Sequence, residues 1–296
     1  MSFCRNNCLK DRPVNSALRD LIQAFLNGDL CPKIPSEQID LGERIAEGGF
    51  AVVYAGKWSD LSVAVKMVSL LEKGSCKLEQ ELNLLINVNH PSIIRVFGIS
   101  SFQGSIGIVM ERASSPIPTP NSLSPLTLRY AKELCQGLKF LHLSGVVHGD
   151  LKPSRILLVD GHVRLSGFTH ANHRFNDDGQ RAKTMTMTHK YAALEQFDSE
   201  ADLPSDIYSL GMVLYELLTG NEAFKDCGMY DIVRAKMRGT SLPFDKSTPQ
   251  SLQELITRCL DLRPASRPEI DEIIQILQSL RPVGGDPKLM MRVDSK

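Results

Sequence analysis

The sequence predicts an α+β chain in two lobes: a small antiparallel β lobe carrying one helix, then a larger, mainly α-helical lobe. Three observations lead there. Apolar residues from Ile39 to Met67 are β-rich and alternate around glycine-containing turns, the pattern of half-buried strands. From Leu126 onward they recur instead at helical spacing. Strands gathered first and helices later is the order of segregated layers.

Residues 1–38 read as a polar N-terminal extension with one short helix over Ala17–Phe25, where Leu18, Leu21, Ile22 and Phe25 share a face and Asn27-Gly28 stops it. Residues 39–113 form the first lobe and its connecting hinge. Three strands fill Ile39 to Met67, an acidic helix runs from about Ser75 to Val88, and two more strands fit Ile93–Ile99 and Ile106–Met110. A Pro/Ser-rich patch, Ser114 to Pro125, opens the second lobe, residues 114–283. Its helices are expected at Leu126–Leu143, Asp206–Leu218, Asp231–Met237, Leu252–Leu262 and Ile270–Leu280. Residues 284–296 read as a flexible tail.

Composition narrows the function classes. The chain has 296 residues, 42% hydrophobic and 23% charged, enough to bury a sizeable core without metals or disulfides. Its 34 basic residues equal its 34 acidic ones, which argues against a nucleic-acid partner. No apolar run reaches membrane-spanning length and no signal sequence opens the chain, so a cytoplasmic protein without a transmembrane segment is expected. The seven cysteines are scattered, without zinc spacing, and read as free thiols.

Four segments carry candidate chemistry: Ala46-Glu47-Gly48-Gly49-Phe50-Ala51-Val52-Val53; Val63-Ala64-Val65-Lys66; HGDLKPSRILL over residues 148–158; and Ser166-Gly167-Phe168-Thr169. In order and context they resemble the glycine-rich loop, the V-A-I-K strand, the catalytic loop and the Asp-Phe-Gly triplet of the protein kinase superfamily. Ala193-Leu194-Glu195, Ser205 to Gly211 and Arg263 to Pro268 resemble later motifs of the same family, so the resemblance covers about Asp40 to Pro282. It implies a two-lobed protein-kinase-like fold with ATP as cofactor. Lys66 would steady phosphates and pair with Glu81. Val53 and Ala64 would roof an adenine, Leu157 would floor it, Met110 would be the gatekeeper, and Glu111 with Ala113 would offer hinge backbone. Asp150 holds the position that accepts the substrate hydroxyl proton, and Lys152 the one that steadies the transferred phosphate. Glu195 and Arg267 would form a buried ion pair. Val96, Leu85, Phe168 and His148, anchored on Asp206, match the regulatory spine.

The departures decide the functional reading. Gly167 stands where a magnesium-binding Asp belongs and offers no ligating atom. Arg155 replaces the loop Asn, a neutral oxygen ligand, with a fixed cation that repels magnesium at short range. No metal ligand is therefore expected, and magnesium binding should be lost or weak. Ala46 and Ala51 occupy the first and third glycine positions, leaving Gly48, and so stiffen a loop whose backbone N–H groups should approach phosphates. Gly149 replaces the Arg that gathers an activation-loop phosphate, although Thr184, Thr186 and Thr188 offer acceptors there. Arg155 would reach a phosphate directly, face outward, or pair with a carboxylate; the sequence leaves all three open.

The chain is thus identified as a pseudokinase-like member of the superfamily. His90-Pro91-Ser92-Ile93-Ile94, Met110 and the Gly167-Phe168 pair are most similar to the tyrosine-kinase-like group, with its receptor-interacting and mixed-lineage-kinase-like members. Two functions compete. One is a signalling scaffold or allosteric partner of another protein kinase or effector, able to hold ATP without ordinary magnesium. The other is a weak or unconventional serine/threonine kinase using Lys66, Asp150, Lys152 and Arg155.

Overall fold

A computed structural model of the chain describes residues 32–48, 51–69, 81–82, 84–85, 88–102, 105–118, 123–173, 189–197 and 201–281. The expected helix over Ala17–Phe25, the tail from 284 and the three threonines lie outside the described residues. The chain divides into two compact units, Met1–Ile86 with Val96–Glu111, and Asn87–Arg95 with Arg112–Lys296.

The first unit is built on one antiparallel sheet of β1 (Ile39–Glu47), β2 (Ala51–Trp58), β3 (Leu61–Ser69), β4 (Val96–Phe102) and β5 (Ser105–Glu111), in the order β1-β2-β3-β5-β4. Alternation along β3 sorts its side chains onto two faces. Val63 and Val65 join Ile34, Ile39 and Val109 in one buried cluster. Val68, on the opposite face, packs with Leu82, Ile99, Ile106 and Ile108. A register shift between Val96 and Gly98 bulges β4, so that Phe97 packs on the first cluster while Val96 and Ile99 serve the second. The segment before β1 pairs in parallel with β4: Ile34 N–H donates to the Ile99 carbonyl at 2.8 Å, and Ile99 N–H to Pro32 at 3.0 Å. Gly98 makes this approach possible, because a Cβ there would collide with the Pro32 carbonyl and the Ile34 side chain.

The second unit is mainly helical. Its α-helices are α1 (Pro125–Leu143), α2 (Leu203–Thr219), α3 (Met229–Met237), α4 (Gln250–Cys259) and α5 (Ile270–Ser279), joined by short strand pairs β6 (Ser115–Pro116), β7 (Val146–Val147), β8 (Ile156–Val159), β9 (His162–Leu165) and β10 (Asn172–His173). α1 starts in a capping box, Ser124 Oγ accepting from Thr127 N–H and Thr127 Oγ1 from Ser124 N–H. It buries Leu128, Ala131, Leu134, Cys135, Leu138 and Leu141, one helical face. α2 is buried on every side from Ser205 to Leu218, which fits its nearly continuous apolar sequence and makes it the central post of the unit. Among the described residues no helix is long and apolar enough to cross a membrane.

Three expected boundaries need correction. The strand placed at Ile93 begins at Val96. Ile94 N–H donates instead to the Leu165 carbonyl at 2.9 Å and Leu165 N–H to Ser92 at 2.8 Å, so these residues extend β9 in the second unit. The helix expected to reach Leu262 stops at Cys259, where Leu260 caps it with its N–H turned back onto the last carbonyls. α2 starts three residues before Asp206, because Asp202 caps it and Pro204 suits its first turn.

Candidate functional site

The sheet register gathers four of the expected residues of the first unit. Val53 lies opposite Lys66, and Lys66 opposite Ile108; Ala55 lies opposite Ala64, and Ala64 opposite Met110. Directly paired residues share a face, so Val53, Ala64, Lys66 and Met110 all project from the same side of the sheet. That side also carries the helical residue Leu82. Glu81 beside it is buried, and its two carboxylate oxygens lie 2.6 and 2.5 Å from Lys66 Nζ. Gly48 closes the β1–β2 hairpin, its N–H donating to the Ala51 carbonyl at 2.8 Å. Glu111 ends β5 opposite Val63, on the other face.

The second unit holds Asp150, Lys152, Arg155 and Leu157 in one stretch, with Ala113 just before β6. The β8–β9 hairpin, with Leu157 opposite Arg164, brings residue 166 back beside residue 155. Ser166 N–H and Oγ both donate to the Arg155 carbonyl, at 2.8 and 3.0 Å. The Arg155 side chain then turns onto Asp150: Nε and Nη2 donate to Oδ2 at 3.2 and 2.9 Å. Lys152 Nζ lies 2.9 Å from the same oxygen, and His170 Nδ1 at 3.8 Å. Of the three orientations open to Arg155, the carboxylate-paired one is realised. Burial raises the Asp150 carboxyl, but hydrogen bonds and charge from Lys152 and Arg155 outweigh it and hold the group below its ordinary range.

Gly167 sits at φ +81°, in the left-handed region. A Cβ there would lie 2.7 Å from Arg155 Nε and 2.9 Å from its Nη1, so the guanidinium occupies the volume that any side chain at 167 would take. Neither expected metal position carries an oxygen ligand: one is glycine, the other a cation. Gly149 is also left-handed, at φ +74°, and a Cβ on it would lie 2.8 Å from the His170 carbonyl.

Behind the loop, Asp206 of α2 is the organiser. Its carboxylate accepts from the backbone N–H of His148 at 2.8 Å and Gly149 at 2.9 Å, with His142 Nε2 at 3.1 Å. The His148 ring packs against Phe168, centroids 5.3 Å apart, which assembles the second-unit members of the expected spine. Burial keeps His148 neutral, lowering its pKa against the pull of Asp206 and Asp150. Its Nδ1 accepts from Asp150 N–H at 3.3 Å, which leaves Nε2 to donate to the Ser166 carbonyl at 3.1 Å. Arg267 Nη1 and Nη2 grip Glu195 at 2.5 and 3.0 Å, the ion pair expected from the motifs.

Sequence reading missed Ser166, which fixes the Arg155 backbone, and Gln196, which bridges the Gly149 carbonyl at 3.2 Å and Ala193 N–H at 2.8 Å. Both links join residues far apart in the chain, and no spacing rule signals them.

A family model described as "Protein kinase domain" matches residues 39–277. Human "Mitogen-activated protein kinase kinase kinase 7" is 28% identical over 269 residues, covering 84% of this chain and 43% of that protein. The Arabidopsis thaliana "CBL-interacting serine/threonine-protein kinase 14" is 30% identical over 251 residues, covering 79% and 56%. The chain thus spans about half the length of these relatives. With the model matched from β1 into α5 and the motif residues placed as described, this chain belongs to the protein kinase domain family.

Proposed function

We propose that the chain is a catalytically impaired kinase domain, a pseudokinase that serves as a scaffold or allosteric partner of another protein kinase or signalling effector in the cytoplasm. The observation that carries this reading is the position of Arg155, which fills the side-chain space of Gly167 while pairing with Asp150. Phosphoryl transfer needs metal ions to bridge the phosphates and a free carboxylate to receive the hydroxyl proton. Gly167 and Arg155 do not fit magnesium, and Asp150 is held by two cations. The tyrosine-kinase-like placement rests on the same motif residues as before.

Nucleotide binding belongs to the proposal too. The Lys66–Glu81 pair is set as phosphate recognition requires, on the face that carries Val53, Ala64 and Met110. Lys152 and Arg155 exceed Asp150 by one positive charge, and a guanidinium suits phosphate oxygens. ATP would therefore bind without a metal ion. One observation favours the second reading, a weakly active serine/threonine kinase: Lys66–Glu81 and Lys152–Asp150 are both in place.

The test is the unfolding midpoint of the purified chain with and without ATP, in magnesium and in EDTA, because a ligand of the native state raises it. The expected result is a rise that survives EDTA, with no transfer of labelled phosphate. A rise confined to magnesium, followed by transfer, would establish the weak kinase instead. No rise in either buffer would remove the nucleotide from the proposal and leave the protein-binding role.

A further inference from the structure

α3 is fastened to the second unit by one face and leaves the next face bare. Its buried side chains are Ile232 and Lys236. Lys236 Nζ donates to three backbone carbonyls, those of His189 at 2.8 Å, Lys190 at 3.0 Å and Ala192 at 2.5 Å, and lies 4.9 Å from the Tyr208 ring centroid. The turn that leads into the helix is left-handed at Phe224, φ +50°, and at Asp226, φ +58°. Strain of that kind on non-glycine residues persists only where the surroundings hold it, so the start of α3 is fixed as well as its end.

The bare face is apolar. Tyr230 is 84% exposed, Met237 69% and Met229 48%, and with the half-buried Val233 they fall within about 100° of the helix circumference. Single exposed apolar residues are ordinary, but among the described residues three of the nine large apolar side chains that stand exposed belong to this one short helix. Methionine adapts its unbranched chain to a partner, and tyrosine offers a large ring at low entropic cost. Along its free edge, away from Ile232 and Lys236, the stripe is bordered by Arg234 and Arg238, one turn apart. Both are exposed, and among the described residues neither has an ion pair. Asp231, the acidic residue of the helix, lies beyond them with its Oδ2 turned to the N-terminal end, 3.7 Å from where a Cβ on Gly228 would be.

We propose that this face of α3 docks an amphipathic helix of a partner protein, one whose apolar stripe is edged by Asp or Glu. A helix suits the shape, because side chains four apart form a ridge that packs into the groove of a second helix, and the stripe from Met229 to Met237 runs for ~12 Å, about two turns. Charge selects the partner: guanidiniums without a partner of their own, at the edge of an apolar stripe, favour carboxylates opposite them and repel cations. The same charge disfavours a second copy of this chain, since antiparallel pairing through the stripe would bring all four arginines to one rim. The dock does not depend on the pseudokinase reading, because a weak kinase would present the same face.

Methyl NMR of the full chain with labelled methionine tests this. The ten methionines give the signals, and those of Met229 and Met237 are assigned by their loss in Met229→Leu and Met237→Leu. The probes are two synthetic helical peptides of about 18 residues with the same leucine stripe, one edged by glutamate and the other by lysine. The glutamate peptide should move the Met229 and Met237 signals, bind at least ~tenfold more tightly than the lysine peptide at low salt, and lose that advantage at high salt. Arg234→Glu together with Arg238→Glu should reverse the preference, which a merely structural role for the arginines would not do. Equal binding of the two peptides, no binding by either, shifts confined to other methionines, or an unchanged preference in the double variant would each overturn the proposal. So would movement of the same two signals on concentrating the chain alone, with a dimer in sedimentation, which would give the face to a second copy. Should the double variant not fold, salt decides in the unaltered chain: an advantage undiminished at high salt refutes the charged edge.

Discussion

Arg155 and Gly167 share one volume: the guanidinium of one fills the space that a Cβ on the other would need, with Nε 2.7 Å and Nη1 2.9 Å from it. An Asp at 167 therefore enters only by moving the Arg155 side chain. Gly167→Asp must adopt a left-handed backbone and displace the arginine, and should cost about 1–3 kcal/mol. Adding Arg155→Asn removes the collision. In a cycle of denaturant unfolding, the pair should recover ~0.5–3 kcal/mol beyond additivity. Simple additivity would mean that the two residues do not compete for space.

Asp150 makes acid stability a local question. Its folded carboxyl lies below the ordinary value, so the stability it adds is complete above about pH 4, where the unfolded group ionises, and is lost as pH falls through the depressed folded value. Asp150→Asn leaves Lys152 and Arg155 without their shared anion and should cost ~1–3 kcal/mol at neutral pH. The gap between variant and parent should narrow only as pH falls through that depressed folded value. A gap that stays constant with pH would show that the carboxylate charge contributes nothing.

Removing Arg267 takes from Glu195 its guanidinium partner and leaves the hydrogen bond from Ser205 Oγ at 3.0 Å. The arginine is almost wholly buried and also donates to the carbonyls of Asp261 and Pro204. Arg267→Ala should lower stability by about 3–5 kcal/mol in urea unfolding. A loss below about 1 kcal/mol would put the pair among ordinary surface bridges.

Lys66→Ala separates the nucleotide proposal from general damage. It should abolish the ATP-induced rise in unfolding midpoint while the chain, though weakened by the loss of the Lys66–Glu81 ion pair, still folds. An undiminished rise would place the nucleotide somewhere else.

Ile34 should matter more than its place ahead of the first long strand suggests. It is buried at 2% exposure among Ile39, Val63, Val65 and Val109. Ile34→Ala should cost about 2–5 kcal/mol by unfolding, as for other buried isoleucines. A negligible loss would mean that the Pro32–Pro35 segment rests on β4 without supporting it.

The order of the lobes was legible because β1 to β3 alternate with period two and α1 to α5 repeat at helical spacing, both local properties. The Ile93 error shows the limit. Ile93 and Ile94 run almost continuously into Val96 and Phe97, and nothing local says that the first pair bonds to Leu165 and the second belongs to a strand beside β5. Motif spacing named Asp150, Lys152 and Arg155, yet the orientation of Arg155 depends on the β8–β9 hairpin returning Ser166 to its side, a long-range pairing. Lys236 was invisible for the opposite reason. A lysine on a short helix between other charged residues reads as solvated, and only the packing of the 189–192 backbone over it shows otherwise.

Gly149 is a second position of the same kind. Its left-handed backbone and the His170 carbonyl, 2.8 Å from where a Cβ would lie, make any side chain at 149 costly, as the Arg155 side chain does at 167. Each added side chain would meet a neighbour that has to shift to admit it. At both positions a neighbour already holds the volume, so a substitution there acts first as a packing change around residues 155 and 170.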